Sequence, residues 1–535
     1  MAARLTTYVV VAIVAATLIA GLIVGAQRDD NSGPVDLIVH NAKVYTADAH
    51  GTMADAVAIR GNKILHVGSE REVMRYQRPQ TTVIDAKGAA VLPGFNDAHV
   101  AFVDAGLALE EVDLSDAATL ADIQQRVGDW AAAHSESAWI VGRGWNPGVL
   151  ADQPTRAQLD AVERGRPVQL FSQDGRLAWV NTKALQAAGI TRRTPDPDGG
   201  EIVRDRRREP TGFLRDAAVD LVSRHVPTPG RSERARALRR ALVQAQERGI
   251  TSIQDFSTAA GDLDLFDEAR RTGELSVRVY ASVPVSSADA AALDELAKRF
   301  PDDPLLKTGL AHLESTGMSA QDLQALTTAV DARKWQVAMP ATGADQIAPA
   351  LDALEHAVAA NTKRSADRRP RLEGLQAVDD DTIARFRRAH WVASVQPLHM
   401  TDGLTSDTAN AAPDLSLLRW PLRAFEKMGV ALAFGSDAPN VPMAPLAALS
   451  AILSGNAGGP EQALKIKSAI SGWTSGAAWA EFDDHRKGMI EAGMLADLVI
   501  LSSNIFDDPA TSLATAAVDL TIFDGKVVYR RKSAS

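Results

Sequence analysis

The stretch "VLPGFNDAHVAF" (residues 91–102) decides how this chain is read. An apolar run enters a Pro–Gly turn and leaves as a second strand-like run carrying Asp97 and His99. Side chains on a strand alternate faces, so residues 99 and 101 would project to the same side. Two histidines so spaced could both bind one metal ion. Here His99 is present and Ala101 stands in the second place.

Outward from this stretch, Val- and Ile-rich runs alternate with amphipathic helical ones. After "AVLPGFNDAHV" come "GITSIQDFS", "LSVRVYASVPV", "LLKTGLAHLE", "WQVAMPATG", "RPRLEGLQAV", "WVASVQPLHM" and "VALAFGSDAPN". Strands separated by helices predict βαβ units and a parallel sheet, and eight of them suffice to close a (β/α)8, TIM-like barrel. About 145 residues separate the first two strands, far beyond an ordinary βα connection, so residues 106–248 are expected to form an insertion subdomain over the catalytic end. Short β-like runs at 36–90 and at 488–535, the latter with an Asp524–Gly525 hairpin turn, predict one small β-sandwich domain built from both chain ends. The barrel with its insertion then occupies 91–487.

The chain has 535 residues, no cysteine and a net charge of −10 without a basic block. These features exclude disulfides and thiolate metal ligands and give no sign of nucleic-acid binding. No charge interrupts Leu5–Ala26. Such a run can cross a ~30 Å bilayer core as a helix. Residues 1–28 are therefore expected to be a single-pass anchor in the cytoplasmic membrane, with 29–35 a polar linker and the body exported. Secretion after signal cleavage is the alternative.

Reactive groups of such barrels lie at the C-terminal strand ends. The eighth strand ends in "FGSDAPN", where Asp437 could bind a divalent ion or take a proton from metal-bound water, or simply cap a turn. Neither a Gly-x-Ser-x-Gly elbow nor a Walker-type loop occurs. In order along the chain, "VLPGFNDAHV", "WIVGRGWNP", "AWVNTKALQAAGIT", "TPDPDGGEIVRD", "EPTGFLRDAA", "FGSDAPN" and "AGMLADLVIL" resemble the metal-dependent amidohydrolase superfamily, in the amidohydrolase-3 branch that includes N-substituted formamide deformylases. The resemblance runs from about Val35 to Arg531 and implies hydrolysis of amide or related C–N bonds by metal-activated water.

Its metal residues carry over only in part. Of the first-strand His-x-His, His99 is kept and Ala101 replaces its partner. Lys307 is the nearest match to the bridging carboxylated lysine or acid of the fourth strand. Pro340 and Gly374 stand where relatives place histidines on the fifth and sixth strands, while Asp437 remains. Arg176 occupies the place of a histidine reaching toward substrate, and with Trp145 and His399 completes the substrate-binding candidates; His312 and His399 are the residues able to swing in as replacement ligands. A catalytic zinc needs about three protein ligands plus water, and His99, Asp437 and an uncertain Lys307 do not supply them. Two readings follow. In one, a membrane-anchored pseudoenzyme holds no cofactor and serves a binding, scaffolding or assembly role toward a small-molecule ligand or a protein partner at the membrane. In the other, a divergent hydrolase of non-peptide C–N bonds uses one divalent metal such as zinc.

Overall fold

The structure is a computed structural model that describes residues 34–532 except 151–152, 173–174, 258, 260, 287–291, 300–302, 314–316, 365–366 and 402–416. The expected anchor at 1–28 lies outside the described residues. Among the described residues, no helix is long and apolar enough to cross a membrane.

The eight runs read as barrel strands are the strands of one parallel sheet, in chain order. They are β1 (Phe95–Val100), β2 (Ile250–Asp255), β3 (Arg278–Val285), β4 (Leu306–Leu313), β5 (Gln336–Pro340), β6 (Arg371–Glu373), β7 (Val392–Val395) and β8 (Ala431–Phe434). Closure comes just beyond β8, where Asp437 N–H donates to the His99 carbonyl at 2.8 Å and Ala101 N–H to that of Ala438 at 2.9 Å. Alternation along each strand sorts the side chains. On β4, Leu306, Ala311 and Leu313 join the large core under the outer helices, while Leu310 packs with Phe256, Tyr280 and Ala338 inside the barrel.

The floor of the barrel is polar. Lys487 donates to Ser252 Oγ at 2.7 Å and pairs with Glu481 at 2.8 Å, and Asn96 donates to the same carboxylate at 2.6 Å. Two smaller sheets draw on both chain ends. One joins Leu37–His40, Ala56–Arg60, Lys63–Gly68 and Thr82–Asp85; the other sets Ala90–Pro93 antiparallel to Leu498–Leu501 and extends to Lys526–Arg530. The insertion contains a six-stranded mixed sheet from Val112–Asp113 to Pro210–Asp216, with hydrophobic cores of its own. The helix Arg231–Glu247 belongs instead with the barrel. Its Ala237, Leu238, Ala241, Leu242 and Ala245 lie in the barrel's outer core, and it packs on Phe102–Ala108. The insertion's own cores thus end before residue 231, short of the expected boundary at 248.

One glycine governs closure. A Cβ at Gly435 would overlap the backbone nitrogen and Cα of His99, so only glycine lets β8 approach β1 this closely. Gly435→Ala is expected to destabilise the fold by about 3 kcal/mol, the upper end of the usual range for overpacking, because the backbone it meets cannot yield. Urea unfolding monitored by tryptophan fluorescence measures this, and an unchanged midpoint would show that the barrel closes by another route.

Candidate functional site at the barrel mouth

Four residues singled out in the sequence meet at the C-terminal strand ends: His99, His312, His399 and Asp437. A fifth, Glu373, was not singled out and organises the others. It lies at the end of β6 and is 3% exposed. His99 Nδ1 sits 2.8 Å from Glu373 Oε2, while His99 Nε2 faces Asp437 Oδ1 at 3.6 Å. His399 Nε2 lies 2.9 Å from Asp437 Oδ2, and Asn440 donates to the same oxygen at 3.2 Å. Carboxylate, imidazole, carboxylate and imidazole therefore form a chain across the mouth.

The chain is anchored from below by Arg371, whose side chain is fully buried in the barrel. Its guanidinium donates to Glu373 Oε1, to Gln254 Oε1, to Ser394 Oγ at 3.2 Å and to the Ala98 carbonyl at 2.6 Å. Ser394 Oγ donates in turn to Glu373 Oε2 at 2.5 Å. Burial opposes charge on Glu373, but Arg371 and His99 outweigh it and hold the carboxyl down to about 2. At His99 burial likewise opposes the charged form, yet Glu373 and Asp437 overcome it and raise the imidazole's pKa. The ring also stacks on Phe256 with centroids 4.1 Å apart.

These residues do not fit a divalent metal. Both ring nitrogens of His99 face carboxylates, and Glu373 is already engaged by Arg371, His99 and Ser394. A cation at His99 would have to displace one of the two carboxylate contacts of its ring. Gly374 departs in its backbone as well as its side chain: its φ of +80° is the left-handed region that strains a histidine. Among the described residues, no group of three or more His, Cys, Asp or Glu is arranged to hold a metal.

Three candidates from the sequence sit elsewhere. Lys307 lies at the N-terminal end of β4, on the barrel floor, where it donates to the Glu481 carbonyl at 2.8 Å and faces Asp483 at 3.5 Å. It cannot bridge a metal at the mouth, because it stands at the start of β4, at the opposite end of the barrel. Trp145, expected against substrate, is 0% exposed in the insertion core, where its Nε1–H donates to the Leu170 carbonyl at 3.1 Å. Arg176 pairs with Asp216 at 2.8 Å on the insertion. The histidine of β4 at the mouth is His312, edge-on to Phe256; burial first and His99 second push its pKa down to about 4, so it is neutral.

The fold is that of a metal-dependent hydrolase scaffold. The chain belongs to the amidohydrolase family, whose model matches residues 82–529. It is 30% identical to Protein LONG AFTER FAR-RED 3 of Arabidopsis thaliana, over 92% of this chain and 91% of that protein. It is 26% identical to the N-substituted formamide deformylase of Arthrobacter pascens, over 93% and 98% of the two chains. An uncharacterized metal-dependent hydrolase from Pyrococcus horikoshii OT3 shares the fold with a TM-score of 0.68 at 22% identity, over 92% of this chain and all of that one.

A second buried acid sits beside the mouth. Asp255, at the end of β2, accepts from Phe102 N–H and Ser257 Oγ, both at 2.9 Å, and burial lifts its pKa to about 7. An acid raised in the folded state contributes full stability below its unfolded value near 4 and loses it as pH rises through the folded value. Stability should fall between pH 4 and 7, by on the order of 4 kcal/mol at most from this group. Asp255→Asn keeps an acceptor without the charge. Urea titrations across that range should show a flatter pH profile in the variant, and parallel profiles would place the strain on another residue.

Proposed function

We propose that this chain keeps the amidohydrolase scaffold as a ligand-binding protein and no longer performs metal-dependent hydrolysis. The observation that carries this reading is the Arg371–Glu373–His99–Asp437 chain, which matches its own charges without a cation. Loss of imidazoles at positions 101, 340 and 374 agrees with it, since affinity for a metal depends on cooperating ligands. The uncharged run Leu5–Ala26 supports a tether to the cytoplasmic membrane with the barrel exported, where a bound small molecule or a protein partner would be met. A hydrolase of non-peptide C–N bonds is the competing reading. It draws on the contiguity of His99, Asp437 and His399.

The test is elemental analysis of chain purified without chelators and dialysed after incubation with zinc, manganese or iron. Metal well below one equivalent, in folded protein that turns over no amide or formamide, is the expected result. A stoichiometric metal that survives dialysis, with hydrolysis that disappears on its removal, would establish the hydrolase instead.

The buried ion chain makes a separate prediction. Arg371→Met leaves Glu373 buried without its guanidinium, and unfolding free energy should drop by about 3–5 kcal/mol. The double variant Arg371→Met, Glu373→Gln should recover much of that loss. If the single variant is as stable as the unaltered chain, the chain does not hold the mouth together.

A further inference from the structure

The two halves of the barrel mouth differ in what they leave unused. On the side of β1, β6, β7 and β8, Arg371, Glu373, His99 and Asp437 engage one another, and only Oδ2 of the buried acid Asp97 is left without a partner among the described residues. On the facing wall, two polar side chains have no partner. Ser282, inward on β3, is 8% exposed, and its buried Oγ forms no hydrogen bond. His312, inward on β4, is half-buried, and its ring nitrogens have no hydrogen-bond partner among the described residues. The strands are in parallel register with Ser282 beside Leu310 and Pro284 beside His312, so Ser282 and His312 are diagonal neighbours on one face. Phe256, Pro284 and Pro340 give this wall its apolar parts.

A buried hydroxyl without a partner costs free energy unless something supplies the bond. The geometry points to a ligand subsite on the β3–β4 wall, in which Ser282 Oγ–H and an imidazole N–H of His312 both donate to the carbonyl oxygen of a small uncharged ligand. A carbonyl oxygen has two lone pairs and can accept from both. The apolar residues would cover the remainder of such a molecule. The wall's own residues, Ser282, neutral His312, Phe256, Pro284 and Pro340, carry no charge, so a charged ligand would find no counter-ion on it. This assignment rests on the non-hydrolytic reading of the same mouth and adds to it the chemical class and the residues that bind.

The probe is δ-valerolactam, with tetrahydrothiopyran as the control, an uncharged six-membered ring without the carbonyl. The full chain, labelled with ¹³C in the histidine imidazoles, is titrated with each. The His312 resonance is assigned by its loss in His312→Phe, which keeps a ring against Phe256. The lactam should shift that resonance and tetrahydrothiopyran should not, and Ser282→Ala should weaken lactam binding about tenfold, the worth of one hydrogen bond of this kind. Equal lactam affinity in Ser282→Ala, or a titration that leaves the His312 resonance unmoved, would overturn the assignment. Thermal unfolding of both variants near that of the unaltered chain confirms that folding is not the cause. Ring opening to 5-aminopentanoate would overturn the non-hydrolytic reading, while the Ser282→Ala comparison still decides the assignment of the wall.

Discussion

A guanidinium sealed inside the barrel is the constraint on which the mouth depends. Arg371 has no access to water, so its charge is tolerable only while Glu373 lies against it and the remaining N–H groups find Gln254, Ser394 and the Ala98 carbonyl. That requirement fixes Glu373, and Glu373 fixes His99. His99 in turn faces Asp437, which stands just past β8 at a positive φ of 66°, held there by the contact that closes the barrel. Closure of the sheet and arrangement of the strand-end residues are thus one problem, solved by one chain of charges.

On the non-hydrolytic reading proposed above, this coupling lets the framework outlast the metal ligands. A family site that binds a cation relies on the cation to gather its ligands and neutralise its acids. Here an internal cation does both. With Arg371 below and His99 between two carboxylates, replacing histidines by Ala101, Pro340 and Gly374 leaves Glu373 and Asp437 each with a partner. The scaffold is held by side chains of its own.

Much of the fold was legible because the strands are buried on both faces and read as Val- and Ile-rich runs between Gly- and Pro-containing breaks. All eight barrel strands were found that way. The site was legible only where a residue sits at the end of a strand and carries a familiar type, as His99 and Asp437 do. Lys307 was misjudged through direction. Both Lys307 and His312 lie in "LLKTGLAHLE", but β4 runs from floor to mouth, and at ~3.3 Å per residue its ends are more than 15 Å apart. The rule that reactive groups lie at C-terminal strand ends already favoured His312. Trp145 was misjudged because composition cannot separate a tryptophan that lines a pocket from one that fills a core. Glu373 was overlooked because its importance comes from Arg371 two residues earlier on the same face, a pairing that needs the barrel interior to be seen.

The division of the mouth into an ion-paired half and a wall of single hydrogen-bonding groups bears on how such a site changes use. The charged half is expensive to alter, since removing any one member leaves a buried charge alone. The facing wall carries single hydrogen-bonding groups on β3 and β4, each replaceable at the cost of one bond. Selection for a new ligand would therefore act on positions such as Ser282, His312 and Pro340 while leaving Arg371, Glu373 and His99 in place. On that argument the ion chain is the fixed floor of the pocket, and the β3–β5 wall is where its specificity resides.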